Sequence, residues 1–359
     1  MMKFGTINLL LTSNGYQAEG WYGMITIYDI AKHANVSAMT VSRVINNTGR
    51  ISDKTRMKVR QVMAELNYVP NAMARGLVLQ KTNIVSLLVT DITNPFYTTV
   101  ARGAEDAARS LGYKLLLGNS DENAEKEKEY IDTILSTRVD GVLLTPAGDD
   151  SKGHLEALTL HGTPYVALDR DVPGILCDSV VGDSISGVRK LIDYLVSLGH
   201  QHVALVGGTF DVSTARQRHQ GFKEAMEANR LPYNEELVLQ TGYRLQDMEA
   251  AAERLLSLSP VPTAVLAGNN VTALGLLQSF RRRSIDVPGQ ISIVTFDDLG
   301  YRDLIDPLFT SAVQPAYKFG ELGIQMLIDR IEGRSNEAPS RLVLQNELMI
   351  GSSTGAPPQ

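Results

Sequence analysis

Hydrophobic positions change their period once along this chain. Up to about residue 82 they recur at three- and four-residue intervals. Ile27, Ile30, Ala31 and Ala34 fall on one helical face, Val41, Val44 and Ile45 on a second, and Val59, Val62, Met63 and Leu66 on a third. Starts are marked as well. Thr26 with an acid at Asp29, Ser37 before Ala38, and Ser52 are N-cap signals, and Asn35 tolerates a left-handed turn. The pattern predicts three short helices, the second over Ala38 to Ile45, with the first two joined as a helix-turn-helix. From Asn83 onward apolar residues gather into runs at 84–89, 113–117, 140–144, 164–168, 202–206, 263–267 and 291–295. These read as buried strands. Amphipathic stretches between them, such as 97–111, 123–137, 184–198, 214–229 and 270–282, read as helices. A βαβ series of this length predicts two parallel sheets, one opening at strand 84–89 and the other at strand 202–206. A last strand is expected over 341–349.

Charge separates the same two regions. Residues 24–82 hold nine Lys/Arg against three acids, a net +6, whereas the chain as a whole is at −6. The remainder is therefore near −12, because residues 1–23 balance. A basic module on an acidic body suits phosphate binding by the module alone. Composition narrows the class further. Apolar content of 43% suffices for a large core, and the single cysteine, Cys177, excludes a disulfide framework and suits a reducing cytoplasm. No apolar run approaches the length of a membrane span.

The stretches Ile27-Tyr28-Asp29-Ile30-Ala31, Val36-Ser37, Thr40-Val41-Ser42-Arg43-Val44-Ile45-Asn46 and Leu66-Asn67-Tyr68-Val69-Pro70-Asn71 resemble the headpiece signature of the lactose/galactose-repressor (LacI/GalR) family. The resemblance implies a multi-domain protein. It would have an all-α helix-turn-helix headpiece and a bilobed α/β body of two parallel-sheet subdomains, like a type I periplasmic binding protein. Met24 stands where such proteins usually begin, so residues 1–23 are expected to be a disordered extension or the product of an upstream start codon. The expected divisions are a headpiece at 24–69, a hinge at 70–82 and an effector-binding, dimerising body at 83–359. Within the body the N-lobe takes about 83–181 and 314–335, and the C-lobe about 182–313 and 336–357. By the same resemblance Ala38 and Met39 sit where operator choice varies, and their apolar side chains suit thymine methyls. Arg43 is the expected guanine reader, because a guanidinium grips O6 and N7 together. Thr26, Ser37, Thr40, Ser42, Asn46 and Thr55 are expected to hold phosphates, and Asn71, in the hinge, is expected among the DNA-binding residues. Leu77 matches the leucine that wedges a minor-groove step when the hinge helix forms on the operator. Partners implied are a pseudo-palindromic duplex operator and a second copy of the chain.

In open α/β sheets ligands lie beyond the strand carboxyl ends. Polar residues follow the predicted strands at Asp91, Asp169-Arg170, Arg216, Asn269, Asp297 and Gln314, and Phe96 offers a ring. The set resembles the family's sugar-binding constellation, with Tyr97 a further aromatic. Carboxylates, amides and guanidinium bond adjacent hydroxyls, and an aromatic face covers the ring. The expected effector is a monosaccharide or related polyol. No other cofactor and no metal is expected: His200-Gln201-His202 alternates like a strand entry and lacks a third ligand. No base–nucleophile pair suggests an enzyme. Two alternative readings fit the same residues: a family member working with a co-repressor, small molecule or phosphocarrier protein, as in the catabolite-control branch, and a sugar-binding protein without DNA function.

Overall fold

The computed structural model describes residues 25–69, 81–242, 247–300, 306–335 and 338–358. The chain divides into two compact units, Met1–Gln80 and Lys81–Gln359. The extension at 1–23 and the hinge positions Asn71 and Leu77 lie outside the described residues.

The first unit contains helices α1 (Ile27–Ala34), α2 (Ala38–Ile45) and α3 (Asp53–Glu65). Each begins where its cap predicts. The Thr26 N–H and hydroxyl both donate to Asp29 Oδ2, at 2.8 and 2.7 Å. Ser37 Oγ accepts from the Thr40 N–H at 3.1 Å, and Ser52 Oγ from the Thr55 N–H at 3.3 Å. Asn35 takes the left-handed conformation, φ 51°, that lets α1 turn sharply into α2. Ile30, Ala34, Val41, Val44, Val59 and Val62 form the buried core.

The second unit is built twice over. Its first lobe runs β1 (Ile84–Val89), α4 (Pro95–Ser110), β2 (Lys114–Asn119), α5 (Ala124–Thr137), β3 (Gly141–Leu144), α6 (Lys152–Leu160), β4 (Tyr165–Leu168) and β5 (Asp178–Gly182). The second runs α7 (Ser184–Ser197), β6 (Val203–Gly207), α8 (Ser213–Ala228), β7 (Val238–Gln240), α9 (Asp247–Leu256), β8 (Ala264–Ala267), α10 (Asn270–Arg282), β9 (Ser292–Phe296) and β10 (Thr310–Val313). Helix α11 (Ala316–Ile331) then returns to the first lobe, and β11 (Arg341–Leu344) and β12 (Glu347–Met349) follow. The sheets are ordered β11-β5-β4-β3-β1-β2 and β12-β10-β9-β8-β6-β7. Helices cover both faces of each, so the central strands are apolar throughout instead of alternating.

One expectation is corrected here. The strand predicted over 341–349, placed wholly in the C-lobe, is two strands. β11 pairs parallel with β5 in the first lobe, and β12 pairs antiparallel with β10 in the second. The chain therefore crosses between lobes three times, at Asp183, at Gln314–Pro315 and at Gln345–Asn346. Two of these crossings are laced together. Gln345 Nε2 donates to Asp183 Oδ2 at 3.1 Å, and Asn346 Nδ2 to the Asp183 carbonyl at 2.7 Å. The third lies against Gly182, where a Cβ would sit 1.8 Å from Gln314 Oε1.

The body also begins two residues earlier than expected. Asp140 accepts from the N–H and hydroxyl of Thr82, both at 2.7 Å, and from the Asn83 N–H at 2.8 Å. Lys81 Nζ reaches Glu332 Oε1 at 3.2 Å, at the far end of α11.

Candidate functional site

Met39, in the N-terminal turn of α2, is 62% exposed, and Arg43, in its last turn, is open to solvent. The Arg43 side chain lies beside Gly49, whose notional Cβ would be 3.4 Å from Arg43 Cδ. Ala38 is half-buried against the headpiece core, so only part of its methyl faces outward. The expected phosphate-side hydroxyls sit in local pairs. Ser37 Oγ and Thr40 Oγ1 are 2.9 Å apart, Ser52 Oγ and Thr55 Oγ1 2.9 Å, and Asn46 Nδ2 donates to Ser42 Oγ at 3.3 Å. The first two pairs are pre-oriented by helix starts and the third lies at the end of α2. Tyr28, 72% exposed on α1, is an additional polar-tipped ring that the sequence reading did not single out.

Between the lobes the two sheets present matched strand ends. β4 ends in Asp169 and β9 in Asp297, both left-handed, with φ 63° and 60°. Their N–H groups donate to equivalent carbonyls, Val180 at 2.8 Å and Ala312 at 3.1 Å. Tyr97 Oη donates to Asp169 Oδ2 at 3.1 Å. Burial holds that phenol well above its ordinary range, so it serves as a neutral donor. Asp297 accepts from the N–H and Nε2 of Gln314, at 3.2 and 3.0 Å. Burial pushes its carboxyl up to about 7, against the pull of Arg218. Arg218 lies 4.1 Å from the centre of the Phe296 ring and donates to the Gly268 carbonyl at 2.5 Å. Asn270, fully buried, donates across the lobes to Asn94 Oδ1 at 3.1 Å and to the Asp298 carbonyl at 2.8 Å. Buried atoms without a hydrogen-bond partner among the described residues include Thr145 Oγ1, Asp169 Oδ1, Arg218 Nε, Asn270 Oδ1 and Gln314 Oε1. Leaving such atoms unmatched costs free energy that a hydroxylated ligand would recover. A cleft of about 650 Å³ between the lobes is lined in part by Thr90, Asp91, Glu122, Asp211, Thr241 and Asp247, and none of the five residues carrying those unpartnered atoms is among its lining.

Comparison with known proteins agrees with both halves. Residues 26–71 match the model for bacterial regulatory proteins of the lacI family, and residues 192–354 that for a periplasmic binding protein-like domain. The HTH-type transcriptional regulator DegA of Bacillus subtilis (strain 168) is 38% identical over 335 residues, 92% of this chain and 98% of that protein. The chain belongs to the lacI family of bacterial regulatory proteins. Among solved structures, the transcriptional regulator CelR in complex with cellobiose superposes with a TM-score of 0.69 at 31% identity. The lac repressor dimer bound to operator and the anti-inducer ONPF does so with 0.77 at 27%. Each alignment covers 92% of this chain and 99% of the other.

In this LacI-family regulator several expected ligand residues turn out to be occupied elsewhere. Arg216 is not in the buried set. Its Nη1 and Nη2 grip Asp149 of the first lobe at 2.8 and 3.0 Å, and Nη1 also donates to the Phe210 carbonyl at 2.6 Å. The inward arginine is Arg218, two positions on and on the opposite side of α8. Asn269 is the N-cap of α10, its Oδ1 accepting from the Thr272 N–H at 2.8 Å, and Asn270 is the residue that faces the other lobe. Phe96 packs edge-on against Tyr97 and Phe319 inside the first lobe's core. Arg170 forks onto Glu122 at 2.6 and 2.7 Å and holds the carbonyls of Pro146 and Ala147. Asp91 lines the cleft while its Oδ1 closes a turn with the Thr93 N–H at 2.8 Å. His200 bonds Thr263, Ser292 and the Gly355 carbonyl, tying the C-terminal segment to the second lobe. No helix among the described residues is long and apolar enough to cross a membrane.

Proposed function

We propose that this regulator is a cytoplasmic repressor, working as a homodimer on a pseudo-palindromic operator, and that a small polyhydroxylated effector between its lobes controls operator affinity. The observation that carries the effector half is the set of buried, unpartnered polar atoms at Asp169, Arg218, Asn270 and Gln314, contributed by both lobes and by a crossing between them. A ligand bonding them all stabilises one lobe arrangement over others, which is the requirement for switching. Asp169, Asn270, Asp297, Arg218 and Gln314 take the hydroxyls in this reading, with Thr145 and Tyr97 beside them. The dimer has two candidate surfaces. The edge strand β2 exposes Leu116 and Leu117, and a groove on α10 is lined by Leu274, Leu277, Gln278, Arg281, Arg282 and Leu308. We assign no catalytic step to the protein.

On the headpiece, Arg43 reads a base and Met39 contacts it apolarly, while Ser37, Thr40 and Thr55 position the backbone. Operator selection from a randomised duplex pool, followed by mobility shift with and without mono- and disaccharides, tests both halves. The expected result is one symmetric site whose affinity changes with one sugar. Failure to protect any symmetric site at low salt would overturn the repressor reading. Arg43→Ala is expected to cost about 1–3 kcal/mol and to relax one position of the selected site.

A further inference from the structure

Two main-chain amides of the first lobe donate into the second. The Asp149 N–H reaches the Asp211 carbonyl at 3.0 Å, and the Asp171 N–H reaches Ser213 Oγ at 2.9 Å. Both bonds land on one short stretch, the turn before α8 and the first residue of that helix. The Val212 N–H closes the turn on the Thr209 carbonyl at 3.1 Å. Arg216, one turn into α8, folds back on the same stretch. Its Nη1 holds the Phe210 carbonyl at 2.6 Å while the fork grips Asp149 at 2.8 and 3.0 Å. The guanidinium is therefore fixed by its own turn before it meets the other lobe, and little side-chain freedom is left to lose in the contact. The first lobe is built to receive it. Glu127, fully buried, accepts from the Ala147 N–H at 2.7 Å and bonds His154 Nδ1 at 2.6 Å. Arg170 holds the carbonyls of Pro146 and Ala147. A Cβ on Gly148 would stand 3.4 Å from both the carbonyl oxygen and Oδ2 of Asp211, so the two loops meet closely there. Arg341 Nη2 steadies Asp171 through Oδ2 at 2.8 Å. Each side of the seam is thus anchored within its own lobe. Asp149, Asp171, Ser213 and Arg216 all stand outside the set assigned to the effector above.

We infer that the start of α8 is a latch on the first lobe: through the Asp211 carbonyl, Ser213 and Arg216 it biases the body toward closed lobes by protein contacts alone. The latch is independent of the polyol reading of the site. A ligand then completes a closure that is already favoured, and little of its binding free energy goes into gathering the lobes. One part of the latch is ionic, with Arg216 and Asp149 35% and 36% exposed, so salt weakens the latch without dissolving it.

The test needs no ligand. Hydrogen exchange of the purified full-length protein, resolved to single amides, follows the Asp149 and Asp171 N–H groups, with amides of β1 and β6 in the lobe cores as references. A latch makes the two seam amides open together, so each variant is read at the amide whose own bond it leaves intact. Arg216→Met should speed exchange at Asp171 by about two- to fivefold. Ser213→Ala should speed exchange at Asp149 by about two- to tenfold. The references should not move, and small-angle scattering of the double variant should show a larger radius of gyration. Where a variant is too unstable to purify, the unaltered protein at high against low salt takes its place, and both seam amides should speed together relative to the references. Acceleration confined to the amide whose own partner was removed, no acceleration at either, or an equal rise at the references would overturn the latch and leave only local contacts.

Discussion

The two lobes are the same scaffold assembled with different tightness. In each, the helix after the first strand packs on the helix that enters from the other lobe: α4 on α11 in the first, α8 on α7 in the second. Each of α4 and α8 has glycine at its ninth position, Gly103 and Gly221. In the first lobe a Cβ on Gly103 would be 2.1 Å from the Tyr317 carbonyl oxygen, and one on Gly320 would be 2.0 Å from that of Val100, so backbone meets backbone. In the second lobe the Cβ on Gly221 would be 3.0 Å from Ile185 Cα, 3.1 Å from its carbonyl oxygen and 3.2 Å from Val188 Cβ, so backbone is met there too but farther off. The strand ends differ too. Asp169 is held by a tyrosine from its own lobe, whereas Asp297 is held by Gln314, which lies on a crossing. The first lobe is thus closed on itself, and the second has its buried acid fastened to the joint. Equivalent positions in a duplicated fold need not carry equivalent jobs.

The largest test of this contrast is pH. Asp297 stands at about 7 in the folded protein against an ordinary value of 3.8. Below about pH 4 both states are protonated and the group contributes nothing. Between there and about pH 7 the unfolded chain releases the proton that the folded chain keeps, so stability falls as pH rises and levels off above 7. The loss is of the order of 4 kcal/mol at most. Asp297→Asn should flatten that slope in urea midpoints measured from pH 5 to 8; an unchanged slope would remove the burial cost from the second lobe. Next comes helix packing. Gly103→Ala should cost about 3 kcal/mol, because carbonyl oxygens cannot step aside, and Gly221→Ala about 1 kcal/mol. Equal losses in chemical denaturation would erase the difference in tightness. The smallest effect is at the contact across the lobes. Arg216 and Asp149 are each about a third exposed, at 35% and 36%. A double-mutant cycle should return only about 0.5–1 kcal/mol, with small-angle scattering of Asp149→Asn showing a greater share of open lobes.

Much of this was legible in the residue pattern. Three caps placed three helices to within a residue, and apolar runs placed the central strands, because burial on both faces leaves few alternatives. What was not legible had a common cause: side-chain direction at the start of an element. Residues two apart on a helix point in nearly opposite directions, so Arg216 and Arg218 could not be told apart without knowing where α8 begins. The same uncertainty of one residue exchanged Asn269, a cap, for Asn270. Extended chain gives no mark where it changes sheets, so 341–349 read as one strand. Phe96 was misplaced for a different reason, since a ring after a strand serves a core as well as it serves a ligand.

Helix α11 begins beside Gln314, at the acid of the second lobe, and ends at Glu332, which holds Lys81 and Tyr113. Sixteen residues of helix make a strut of about 24 Å. Its flank against α4 meets backbone at Gly103 and Gly320 and is pinned by Phe319 against Phe96 and by the Tyr317 hydroxyl, which donates to Asp106 Oδ2 at 3.2 Å. The rod and the helix it is keyed to would thus shift together, so that a pull at the acid would be felt where the polypeptide leaves the body at Lys81.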